Sequence, residues 1–331
     1  MRRISFRPRI VANQCKKGSG AARQNEVMSA SPAFALPAIL QRRVEAAVAR
    51  LYEPEGRARE DFSRPAGEPA LCAPDSVSWA VCKNPVVLFV GGVAAVVLEL
   101  AEPRVRTGVW EHSAFREQPL ERMRRTALAT AMAVYGPRSR AEAMIARVAR
   151  LHDAVRGATP HGDAYAANDP ELLAWVQATA LHGFVEAHHA YVRPLDGAAR
   201  DRFHAEGMPV ARLYGVIDPP ASQADVQRVF ERMDPRLEAS DIVHEFLSIV
   251  RRMPALAAPL RPVQALLVRA AVDVVPATLR ERLGLRAQGL AAWQRPLACR
   301  LARAADRLVL ASSAPVQACR RLGLRDDFLY R

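Results

Sequence analysis

The chain is poor in the residues that build stapled or metal-clustered folds. Aromatics make up only 6% of its 331 positions, and its five cysteines (Cys15, Cys72, Cys82, Cys299 and Cys319) are widely spaced with no CxxC among them. An odd, scattered set argues against a disulfide framework or a zinc site and fits a reducing compartment, while leaving a Cys72–Cys82 pair open. Long apolar runs are also missing. The longest uncharged one, residues 84–98, is interrupted by Gly91-Gly92 and is shorter than the roughly 18 residues a membrane span needs, so it reads as a buried helix. The basic N-terminus lacks the apolar stretch of a signal peptide, and a cytoplasmic location is expected. No GxSxG, HExxH or P-loop occurs, which weakens hydrolase and nucleotide-binding readings. β-branched runs are short, and none alternates for long enough to predict a sheet.

What is present is helix-forming material. Half of the residues are hydrophobic, and alanine, leucine and arginine dominate. The prediction is an all-α protein, a single large helical domain over residues 31–331. Residues 1–30 read as a basic, disordered tail or an over-extended start, with Met28 opening a more ordinary beginning. The net charge of +13 is uneven: residues 1–27 carry +6 and residues 280–331 carry +7. Such ends suit an anionic partner, and peripheral contact with an anionic membrane is one expectation. No zinc-finger, ribonucleoprotein or helix-turn-helix pattern supports specific nucleic-acid binding.

Helices are predicted over residues 35–52, 84–101, 119–135, 139–157, 169–191 and 195–206, with further ones near 222–233, 240–253, 260–275 and 295–310. Gly136-Pro137 stops the third. Ser139 followed by Glu142 has the spacing of a capping box for the fourth. Asp169-Pro-Glu starts the fifth with a carboxylate cap and a first-turn proline. Residues 53–75, rich in Pro, Gly and charge, read as a loop or arm. Trp110, His112 and Phe115 fall in a connection, as does the segment 159–168.

Several positions could carry chemistry. His152 lies on the apolar stripe Ala141, Met144, Ile145, Val148, Leu151, Val155 and is predicted to point inward. A neutral imidazole there could be an axial ligand for heme iron, or a core histidine bonded to a carbonyl. Arg122 and Thr126, four apart, share a helix face; the arginine suits a propionate and the threonine a bound ligand, although most such arginines are solvated. Glu186-Ala-His-His189 holds one Glu-x-x-His, half of a di-iron carboxylate signature without its second copy, so His188 and His189 are expected to be exposed helical residues. The Gly91-Gly92 pair would let a backbone or a flat ligand come close.

Taken in order, certain segments resemble a known family. They are Gly91-Gly92 through Ala101, Gly108-Val-Trp-Glu-His-Ser-Ala-Phe115, Pro119-Leu-Glu-Arg-Met-Arg-Arg-Thr126, Arg150-Leu-His-Asp-Ala-Val-Arg-Gly157, Tyr165, Asp169-Pro-Glu-Leu-Leu-Ala-Trp-Val176, Pro194-Leu, Asp201-Arg-Phe203 and Glu206. The chain is similar to the catalytic domain shared by rubber oxygenase and the MpaB-type oxygenases, over a core of about residues 84–285. The resemblance implies an all-helical fold around heme b and oxidation of a hydrophobic, isoprenoid or lipid-like substrate by dioxygen. It implies His152 as the iron ligand and Arg122 and Thr126 as catalytic-site residues; Arg122 and Arg156 are expected to steady propionates, and Gln177 is a further cofactor-binding candidate. Many members carry histidine where this chain has Glu102 and Gln177; Gln177 could bond a distal ligand instead. The rival reading is a non-catalytic helical protein that binds heme or lipid at a membrane surface.

Overall fold

The structure is a computed structural model that describes residue 33, residues 38–52 and residues 59–331. The expected N-terminal tail, Cys15 and Met28 lie outside the described residues. The remainder, from Ser31 onward, clusters as one compact unit. Its helices are α1 (Ala38–Tyr52), α2 (Val77–Cys82), α3 (Pro85–Glu99), α4 (Pro103–His112), α5 (Pro119–Tyr135), α6 (Arg138–His152), α7 (Pro170–Tyr191), α8 (Gly197–Leu213), α9 (Gln223–Met233), α10 (Asp241–Arg252), α11 (Arg261–Val274), α12 (Ala277–Arg282), α13 (Gln294–Asp306) and α14 (Ala314–Arg321). Among the described residues, sheet is limited to one antiparallel hairpin of β1 (Arg156–Ala158) and β2 (Ala164–Ala166). The chain is therefore all-α.

The core is built on α3 and α7, with α11 and α13 packed beside them. α3 owes its start to Asn84, whose side-chain oxygen accepts from the Val86 and Val87 amides. α7 starts as predicted: the Asp169 carboxylate accepts from the Glu171 and Leu172 amides, ahead of Pro170. The apolar spacing predicts one buried face for α7. In the structure Trp175, Ala178 and Thr179, outside the predicted face of Leu173, Val176, Ala180, Phe184, Ala187 and Tyr191, are also fully enclosed, so helices surround α7 on nearly every side. The two axes meet at glycine. A Cβ on Gly183 would lie 2.3 Å from the Gly91 carbonyl oxygen, and one on Gly91 would lie 2.7 Å from the Phe184 ring. Of the two readings of the Gly91-Gly92 pair, Gly91 serves backbone approach, whereas a Cβ on Gly92 would meet nothing within 4 Å.

Buried polar groups tie the outer parts to this core. Lys83 and Asp306, both almost fully enclosed, pair at 3.2 Å and join the α2–α3 corner to α13. Burial lowers the Lys83 pKa, and the nearby Asp306 carboxylate works against that shift. Arg321, 2% exposed, donates to the carbonyls of Phe62, Glu68 and Tyr135, fixing the arm of residues 59–75 against α5 and α14.

Other expectations are corrected. The Ser139–Glu142 capping box does not form. α6 begins at Arg138, and the Ser139 amide donates to Glu68 of the arm, 2.6 Å away. α6 stops at His152, short of Gly157, and Leu151 of its predicted apolar stripe is 61% exposed. Trp110 and His112 belong to α4, which Glu102 caps by accepting from the Val105 amide. The segment 159–168 contributes β2 of the hairpin, whose turn uses Gly162 at φ 93°. α8 runs from 197 to 213, past the predicted end at 206, with Pro209 inside it. His188 is buried at 1% exposure, and His189 is half-buried and accepts from the Leu195 amide. Cys72 and Cys82 are both free and buried. No single described helix is long and apolar enough to cross a membrane.

Candidate active site

The sequence places Glu99 at the last turn of α3, Arg122 in the first turns of α5 and His152 at the end of α6. Pro119 opens α5 and Gly136 closes it, so Arg122 and Thr126 fall one turn apart on a well-defined helix. α5 and α6 pack on each other. α5 also rests on α1, α2 and α14, and α6 on α8, but neither packs broadly on α3 or α7. Side chains rather than backbones face each other across the space between. Leu88, Gly92, Val96 and Glu99 recur at helical spacing on α3 and are only half-buried, although most of the helix is enclosed. One face of α3 therefore borders open space.

Three ionisable groups near this half-buried face of α3 are desolvated. Burial pushes the Glu99 carboxyl up to about 7, against the opposing pull of the Arg122 guanidinium and the Thr179 hydroxyl. Arg122 is itself desolvated, which lowers its pKa, and the Glu99 carboxyl opposes that shift. Burial first, and the Arg122 charge second, lower the pKa of His152, so the imidazole is neutral near pH 7. All three groups are desolvated enough to shift, yet all keep accessible surface. The Thr179 hydroxyl also bonds to the Val176 carbonyl, so it can serve Glu99 in either protonation state.

His152 has a positioning partner. Asn168, just before α7, donates to the Ala149 carbonyl and to the Asp153 carboxylate, which fixes its side chain against the end of α6. Its side-chain oxygen is buried, makes no formal hydrogen bond and lies beside the imidazole, where it favours an N–H directed at it. Tyr165 holds the following hairpin in place. Its hydroxyl is 3.0 Å from His112 Nε2 and donates to Glu111, and its ring fills the space that Gly108 and Gly157 leave free of side chain.

Arg122 and Thr126 do come together: the guanidinium donates to the Thr126 hydroxyl, which donates to the Arg122 carbonyl at 3.0 Å. Thr126 is exposed, so it stands at the solvent side of Arg122. Arg156 is exposed on β1 and donates to the Asp153 carbonyl. Gln177 is half-buried and lies against Gly207 of α8, on the side of α7 turned away from Thr179 and Gly183. Glu102 serves the fold: it is 1% exposed, caps α4 and pairs with Arg104 at 2.7 Å. Sequence reasoning missed Glu99 and Asn168. Glu99 left a signal, since it is the only charged residue in α3. Among the described residues no group of three or more His, Cys, Asp or Glu is placed to hold a metal ion. The polar depressions lined by Glu45, Arg59 and Arg320, or by Arg64 and Arg140, contain none of these site residues.

The sequence model of one family, described as "ER-bound oxygenase mpaB/B'/Rubber oxygenase, catalytic domain", matches residues 79–326. The chain belongs to this family. The match runs past both ends of the core expected at residues 84–285 and takes in α3, α5, α6 and α7, which carry Glu99, Arg122, His152 and Thr179. No curated protein and no solved structure matches the chain. The family is one of oxygenases, so oxidation with dioxygen of a small-molecule substrate is the activity its membership indicates.

Proposed function

We propose that this protein is a heme-dependent oxygenase acting with dioxygen on a hydrophobic, isoprenoid or lipid-like substrate. The observation that carries the reading is a neutral His152 with the buried Asn168 side-chain oxygen beside it and the Arg122 charge within electrostatic reach. The donor set fits a b-type heme better than a bare metal ion. One imidazole is available, its other nitrogen has Asn168 to orient it, and the described residues gather no multi-ligand cluster. Bound there, heme would supply an iron able to engage dioxygen.

The chain's own residues would do the rest. His152 would hold the iron, with Asn168 fixing its tautomer. Arg122 places a positive charge near His152 and Glu99, where it can steady a propionate or a polarised oxygen atom. Glu99, with a pKa of about 7, can hold or release a proton at Oε near neutral pH. Thr126 keeps Arg122 in its rotamer. Arg156, on the exposed hairpin, would reach a propionate only at the rim, and Gln177 would act from the α8 side.

Protein from heme-supplemented cells should show a Soret band and about one heme per chain by pyridine hemochrome. His152→Ala should lose that band while keeping its far-ultraviolet circular dichroism. An unchanged Soret band in the variant would remove His152 as ligand. A folded protein without any band would remove the heme reading. Oxygen uptake with a hydrophobic substrate separates an oxygenase from a simple heme or lipid carrier.

A further inference from the structure

We infer that the exposed face of α13 docks on an anionic lipid bilayer. Trp293, at the helix N-cap, is 69% exposed, and Leu297, one turn later, is 42% exposed. Helical geometry puts positions 293, 297, 300 and 304 on one side, and Pro296, Arg300 and Ala304 are exposed there too. The opposite side is fixed. Ala298, Ala302 and Ala305 are buried, Cys299 donates to the Ala190 carbonyl and Arg303 to the Val192 carbonyl. The outward face is therefore set by the fold.

Its chemistry points to one partner. From Gly289 to Ala305 the chain carries Arg295, Arg300 and Arg303 and no Asp or Glu. Arg295 lies over the Tyr191 ring, 5.6 Å from its centre, on the side of α13 turned toward α7. The nearby carboxylate of Asp273 is already paired with Arg280 at 2.9 Å. An exposed indole with an adjacent leucine, and Arg300 on the same side in a segment without Asp or Glu, matches the bilayer interface, where Trp sits at headgroup level and Arg meets phosphate. The apolar strip is one turn long. It is too small to insert alone, so binding needs its two components together, apolar contact and charge. This surface lies where α13 meets the end of α7, and the inference does not rest on the heme reading.

The test uses the full chain and vesicles of phosphatidylcholine with or without about one-third phosphatidylglycerol. Trp79 and Trp175 are fully buried and Trp110 is half-buried, so quenching by lipids brominated on the acyl chain reports chiefly on Trp293. The expected result is blue-shifted, quenched emission and co-sedimentation with anionic vesicles at low salt, and neither with neutral ones. Trp293→Ala with Leu297→Ala should abolish quenching. Arg300→Glu alone, and with Arg295→Glu, should weaken vesicle binding progressively, to roughly tenfold or more for the pair. All these side chains are exposed, and circular dichroism checks that the variants fold. Absence of binding at low salt would overturn the inference. So would binding that survives both double variants, which would pass it to the basic residues of 1–27. Trp293 emission already blue-shifted without lipid, and shifted back on dilution, would also overturn it, since a second copy would then cover the face.

Discussion

At Gly91, α3 meets α7 backbone to backbone, with no room for a methyl group; two turns later, at Glu99, the same helix faces a gap. The first region excludes side chains to gain contact. The second keeps charged side chains at the cost of desolvating them. A helix pair that closed along its whole length would be more apolar. The neutral histidines show the same contrast: His188 and His204 sit in packed surroundings with pKa values pressed down to about 4, whereas the Glu99 acid is pushed up to about 7.

Breaking the crossing should give the largest single-site effect. Gly183→Val drives a branched side chain into the Gly91 carbonyl and should cost about 4 kcal/mol or more, measured by urea unfolding. A stable variant would mean that α3 and α7 can move apart. Next comes acid. His188 and His204 bind a proton more weakly in the folded state than in the unfolded one, so stability is present above pH 6.5 and falls as the pH drops toward 4. Each contributes up to about 3 kcal/mol to that loss. Replacing His204 with Gln should flatten the acid limb of the stability curve, and an unchanged limb would refute the assignment.

Glu99 should respond with the opposite sign. Folded Glu99 binds its proton more tightly than the unfolded chain does, so between pH 4.5 and 7 its contribution falls as pH rises. Glu99→Gln should be level with the parent near pH 4.5 and more stable by up to about 3 kcal/mol at pH 8. Equal stability at both pH values would show that Glu99 is solvated. The smallest effect sharpens the comparison within one turn. Gly92→Ala, beside Gly91 but facing open space, should be neutral or stabilising by about 0.5–1 kcal/mol through helix propensity.

Much of the fold is legible in the sequence because its punctuation is local. Pro119 and Gly136 bound α5, and Asp169-Pro170 opens α7, with signals inside a few residues. The start of α6 is legible to within one residue but its capping is not, because one of its first amides is met by the arm through Glu68, 71 residues away. α4 escapes a sequence reading that treats Glu102 as a lost histidine, when the residue is an N-cap. The shared face of Arg122 and Thr126 and the inward lean of His152 are legible from spacing alone. The grouping of Glu99, Arg122 and Thr179 is not. It brings together α3, α5 and α7, a relation between distant segments that no local pattern records. Glu99 becomes a candidate only once Arg122 and Thr179 are seen beside it.

Arg321 has a consequence for the order of events during synthesis. The carbonyls of Phe62 and Glu68 receive their guanidinium from a residue 259 and 253 positions later. At roughly 5–20 residues per second, a ribosome delivers that partner on the order of tens of seconds after the arm has emerged. Until then water must satisfy those carbonyls, and the arm cannot be buried without loss. Its docking is therefore among the last steps of assembly, after nearly all of the helical core has left the ribosome.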